Sequence, residues 1–145
     1  MKTTVITVLM VLMSVFAFAQ KPMVGFSPAD IKQQNYLEFN TSYDDWNIDQ
    51  GKGFFMLSTD VPSVKGYAYY YFMDGAKVNY RYALIMFDYD SYTYLRTQTI
   101  KGCTYQSGGW YKQTESGLYV YFDSGVSDGK ATYMVIYSPQ IYRKD

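Results

Sequence analysis

The stretch Gly66–Asp90, GYAYYYFMDGAKVNYRYALIMFDYD, carries the densest apolar patterning in the chain. An Asp-Gly pair between two apolar runs is the strongest short-range hairpin signal, because both loop positions of such a turn need φ > 0. With Asp74-Gly75 at the tip, Met73 faces Ala76, Tyr71 faces Val78, Tyr69 faces Tyr80 and Tyr67 faces Tyr82. Period-two alternation puts these eight on one face, continued by Leu84 and Met86, and that face is the expected core. The other face reads Ala68, Tyr70 and Phe72 against Lys77, Asn79 and Arg81.

Upstream, Ser27-Pro28-Ala29-Asp30-Ile31 has the grammar of a helix start. Ser27 caps, Pro28 sits where its missing N–H costs nothing, and Asp30 complements the helix dipole. Ile31 is the sole buried anchor, so the pattern predicts a short helix over Ser27–Asn35 after a flexible lead-in from Gln20 to Phe26. Tyr36–Asn40 alternates and predicts a first strand. Thr41–Lys52 is polar and turn-rich, Gly53–Ser58 (GFFMLS) reads as a strand, and Thr59–Lys65 as a connection.

Ser91–Lys101 supports two readings. Its Thr- and Tyr-rich alternation favours a strand. Its punctuation favours a helix, with Ser91 as cap, Tyr92, Leu95 and Thr99 on one face, and Gly102 as the stop. After Cys103, Gly109–Lys112 and Leu118–Phe122 read as strands joined through Thr114–Gly117. Asp123–Gly129 then reads as a loop and Ala131–Tyr137 as the last strand. No internal repeat is evident.

The amino terminus changes the compartment. Lys2 precedes an apolar run of about 14 residues, Val5–Phe18, too short to cross a bilayer comfortably. Ala17-Phe18-Ala19 fits the small-x-small cleavage rule, which predicts a signal peptide over residues 1–19 and one globular domain over 20–145. No cysteine lies at the cleavage point for lipid attachment. The mature chain is expected to be secreted or periplasmic, with no integral membrane segment after cleavage. It is long enough to bury a core without disulfides, and Cys103, the only cysteine, has no internal partner.

Formal charge is zero, so no field steers the protein toward nucleic acid or an anionic membrane. Histidine is absent, which removes His-dependent triads, His metal sites and imidazole acid–base chemistry. No cofactor motif is present. Asp45, Asn47 and Asp49 place oxygen donors at alternate positions as calcium loops do, but Gln50 stands where the sharp turn needs glycine and Met56 where a bidentate carboxylate belongs. Glu38 and Glu115 are the carboxylate pair a hydrolase would need, at a separation that sequence does not set. The positive anomaly is tyrosine, with 18 copies. Tyr70 and Phe72 beside Lys77 and Arg81, extended by Trp110, Tyr119 and Tyr121, would form an exposed aromatic platform for a sugar or a protein. The competing reading puts a helix over that face and makes the rings core.

Tyr69-Tyr70-Tyr71-Phe72-Met73-Asp74-Gly75-Ala76-Lys77, with Tyr80 and Tyr82, resembles a loose group of small exported proteins without assigned function from Gram-negative gut and oral anaerobes. The Ala17-Phe18-Ala19-Gln20 leader end, the Gly25-Phe26-Ser27-Pro28-Ala29-Asp30-Ile31 helix start and Gly109-Trp110 followed by Gly117 add to the likeness. The resemblance implies a helix over Ser91–Lys101 packed on an antiparallel sheet, and it implies no chemistry. The expected fold is therefore α+β, an antiparallel sheet of about six strands with one or two helices on one face. The alternative is an all-β sandwich or small barrel. The expected function is a non-enzymatic exported binding module; a glycan-binding protein and a carboxylate-dependent hydrolase are the alternatives.

Overall fold

A computed structural model describes residues 23–39, 46–61 and 65–142, with the side chains of 36–39 outside the described set. The expected leader, the cleavage point and Asp45 all lie outside it. The elements run α1 (Pro28–Phe39), β1 (Asn47–Gly51), β2 (Phe54–Val61), β3 (Gly66–Met73), β4 (Arg81–Met86), α2 (Tyr89–Lys101), β5 (Cys103–Tyr105), β6 (Trp110–Gln113), β7 (Tyr119–Ser127) and β8 (Lys130–Ser138). All eight strands form one antiparallel sheet in the order β1-β2-β3-β4-β8-β7-β6-β5. A helix followed by a four-strand meander occurs twice, and the two meanders join where β4 pairs with β8. The α+β expectation holds, with more strands than the six or so expected. The all-β alternative fails at α2.

Both helices start as their capping residues dictate. Ser27 Oγ bonds Asp30 in both directions, accepting from its N–H and donating to its carboxylate, and the Ser27 carbonyl accepts from Ile31 N–H. The first helix then runs through Tyr36–Phe39, where a strand was expected. At α2 the cap is Asp88, three residues ahead of the expected Ser91. Ser91 Oγ instead donates to Asp88 at 2.6 Å, and this bond holds the Asp88 carboxyl below the usual carboxylate range. Leu95 and Thr99 are buried and Tyr92 stacks on Tyr133, so the helical face predicted from punctuation overrides the strand propensity of Thr and Tyr.

The central hairpin differs from expectation in register. A turn does form at Asp74-Gly75, where Ala76 N–H donates to the Met73 carbonyl and Gly75 has φ 74°. Asp74 keeps a negative φ, however, and the chain does not return at once. Pairing places Tyr69 opposite Ala83, Tyr70 opposite Tyr82 and Tyr71 opposite Arg81. Buried Asn79 holds this longer connection. Its side chain donates to the Met23 carbonyl and accepts from Phe26 N–H, while its backbone bonds Gly25 and Phe26. The lead-in expected to be flexible is thereby pinned from Met23, itself buried, to Phe26.

This offset is an odd number of residues, so it exchanges the faces of β3. Ala68, Tyr70 and Phe72 are fully buried, and Tyr67, Tyr69 and Tyr71 point the other way. Tyr82, Leu84 and Met86 stay in the core as expected. Across the core, Tyr70, Tyr82 and Tyr137 are successive cross-strand neighbours whose rings stack at 5.0 and 5.7 Å. Burial pushes the Tyr137 phenol up to about 12. Asn35 of α1 donates to the Tyr70 hydroxyl at 2.8 Å, so the helix covers that ring and satisfies its polar end.

The tight type I′-like turn lies elsewhere. Asp128 and Gly129 have φ 51° and 73° and join β7 to β8 with Ser127 opposite Lys130, inside what reads in sequence as a loop. Residues Asn47–Gly51 form an edge strand with every residue exposed, and Cys103–Tyr105 forms the opposite edge. Neither was expected.

Candidate functional site

Both helices pack on the face that carries Tyr70, Tyr82, Leu84 and Val135. On the opposite face no described helix lies, and the strand register sets out its rows. One runs Trp110, Tyr121, Ile136, Ala83, Tyr69 and Ser58 across six strands. A neighbouring row runs Asp123, Met134, Ile85, Tyr67 and Asp60. Tyrosine recurs here because large, half-buried rings suit a pleated surface and pack against their cross-strand neighbours. Ala83 is 1% exposed although it lies on this face, between Tyr69 and Ile136, so the middle of the sheet is closed to solvent there.

Two clefts flank that closed middle. The larger, about 990 Å³, is lined by Asp60, Tyr67, Tyr69, Phe87, Asp123 and Asp128 among others. Tyr67 stands edge-on to Phe87, with ring centroids 5.6 Å apart. Burial, Tyr67 and Asp60, in that order, push the Tyr69 phenol up, so Tyr69 remains a neutral hydrogen-bond donor there. The smaller cleft, about 580 Å³, is lined by Arg81, Trp110, Tyr121, Ile136, Ile141 and Tyr142 among others. The guanidinium carbon of Arg81 lies 4.3 Å from the Tyr142 ring centroid, 5.7 Å from that of Tyr71 and 5.8 Å from that of Tyr80. Burial pushes the Tyr71 phenol up and the Arg81 charge opposes this.

The expected platform is therefore split between the two faces. Tyr70 and Phe72 are core residues, not ligand-facing ones; α1 seals the first and the second stacks on Phe55 at 4.5 Å. Lys77 is exposed in the β3–β4 connection. Arg81, Trp110, Tyr119 and Tyr121 do share the uncovered face, although Trp110 is buried there at 7% exposed, and three of these line the smaller cleft. Tyr67 and Tyr69, assigned to the interior from the alternation, line the larger cleft beside Phe87. The β3–β4 partner of Tyr69 is the one feature that would have revealed them, and local sequence does not set it.

No family model, curated protein or solved structure matches this chain.

Asn47 and Asp49 lie on β1, whose extended backbone spreads alternate donors apart instead of wrapping them around an ion. Among the described residues no group of three or more metal-type side chains comes together. Glu115 is exposed in the β6–β7 turn, and the Glu38 side chain is outside the described set. Cys103 is half-buried at the start of β5, its thiol donating to the Thr99 carbonyl in the last turn of α2 at 3.1 Å. Burial pushes its pKa up, away from the thiolate that nucleophilic chemistry needs. No helix among the described residues is long and apolar enough to cross a membrane.

Proposed function

We propose that this chain is a non-enzymatic, exported binding module that docks a partner on the uncovered face of its sheet. The observation that carries this reading is the face itself: rows of tyrosines with Trp110 and Arg81, fixed by strand pairing and with no helix of the described residues above them. Tyrosine, tryptophan and arginine dominate binding energy at protein interfaces, since each offers a large contact area with few rotatable bonds or a rigid donor fork. A sheet face supplies such groups already ordered, which lowers the entropy lost on binding.

A second reading, a glycan partner, is favoured by the larger cleft alone. There the Tyr67 and Tyr69 rings lie beside Asp60 and Asp123, pairing flat apolar faces with hydrogen-bond acceptors.

Photo-cross-linking separates these readings. A benzoylphenylalanine probe replacing Tyr67 or Tyr121 on the open face, or Tyr94 on the outer side of α2, is introduced in the native host and irradiated. Docking predicts a discrete protein adduct from the first two positions and none from Tyr94. Glycosidase-sensitive adducts from Tyr67 would select the glycan reading. Identical adducts from all three positions, or none from any, would remove both.

A further inference from the structure

Arg81 brings a charge to the open face, opposite Tyr71. Its Nε is buried without a hydrogen-bond partner, and among the described residues no carboxylate pairs with its guanidinium. Three tyrosine rings surround the group, and Trp110, Ile136 and Ile141 continue the wall of the same cleft as apolar surface. A guanidinium presents its N–H donors in a planar fork that matches a carboxylate bidentately, and such a pair strengthens where water is excluded. The cation and the apolar wall sit side by side in about 580 Å³, so the matching ligand carries its carboxylate and an apolar group on one carbon. A peptide's last residue has that form. An acidic side chain does not, since it arrives with its own polar backbone.

We infer that the Arg81 cleft is a pocket for a chain-terminal carboxylate borne on an apolar or aromatic residue. This deepens the docking reading and rests on it: the pocket would anchor the end of a partner chain laid on the same face. The rings hold the guanidinium in place, its fork takes the carboxylate, and Trp110 and Ile136 cover the terminal side chain.

The test uses small probes on the ¹⁵N-labelled chain, following the Arg81 Nε–H and Trp110 indole resonances. N-acetylphenylalanine is titrated against its amide and against the α-amide of N-acetylglutamate. The free acid is expected to shift both resonances, with an affinity at least about tenfold above that of its own amide, because hydrogen bonds to charged groups are the strong ones, and above that of the glutamate amide, whose carboxylate has no apolar group on the neighbouring carbon. Arg81→Met, which keeps an apolar stem, should erase the difference, and Arg81→Lys should restore only part of it. If Arg81→Met does not fold, the wild-type comparison still decides. Equal shifts from acid and amide, or none from either, would overturn the pocket. Equal binding by the glutamate amide would overturn its assignment to a chain end. A failed titration leaves cross-linking from Tyr67 intact, so loss of the pocket and loss of the docking reading are distinguishable.

Discussion

Tyr70→Ala is expected to destabilise the protein by about 4 kcal/mol or more, while Tyr67→Ala, three residues earlier on the same strand, costs within about 1 kcal/mol. Tyr70 is fully buried and stacked on Tyr82, and its hydroxyl is the anchor for Asn35 of α1. Removing the ring opens a cavity between helix and sheet and leaves a buried amide with one partner fewer. Tyr70→Phe separates the two contributions, since it keeps the ring and should cost only about 1–2 kcal/mol. Tyr67 is 37% exposed and lines an open cleft, so its loss removes little that water does not replace. Urea denaturation of the three variants measures all of this. Against a typical total stability of about 5–15 kcal/mol, the first loss is large enough to unfold a marginal domain.

Gly66→Ala is expected to be nearly as damaging, by roughly 3 kcal/mol or more. Gly66 opens β3 and pairs with Val61 on one side and Met86 on the other. A Cβ there would run into the backbone carbonyl oxygen of Ile85. Backbone cannot swing aside as a side-chain tip can, and β4 is held on its far edge by β8. The strands would have to part at the centre of the sheet. Gly125→Ala is the control: its nearest neighbour would be Thr132 Oγ1 at 3.7 Å, an ordinary contact, and its midpoint should stay near wild type.

What was legible in sequence was mostly local chemistry. The Ser27-Pro28 helix start, the Tyr92–Leu95–Thr99 face and the Gly102 stop depend on groups a few residues apart, and the structure uses them nearly as read. Register is a different matter. The Asp74-Gly75 turn forms, yet Asn79 binds the lead-in at Met23 and Phe26, more than fifty residues away in sequence, and that contact holds out the loop that sets Tyr69 opposite Ala83. The register, not the turn, makes Tyr70 core and leaves Tyr69 on the other face. The edge strands were missed for a plainer reason, since Asn47–Gly51 is exposed throughout and carries no alternation to read. The repeated helix-plus-meander plan leaves no sequence repeat, because each half needs only the pattern of its own buried face.

For the candidate site, the sequence reading divided the aromatic residues wrongly between the two faces. Arg81, Trp110, Tyr119 and Tyr121 reach the open face; Tyr70 and Phe72 do not, and Tyr67 and Tyr69 stand there in their place.

Docking and the Arg81 pocket both require that successive tyrosines of β3 look out from opposite sides of the sheet. Brief nitration of the folded protein with tetranitromethane, mapped by mass spectrometry, tests this most directly. Tyr67 should be modified while Tyr70, Tyr82 and Tyr137 stay unmodified until denaturant is added. Nitration of Tyr70 as fast as Tyr67 in the folded state would contradict it.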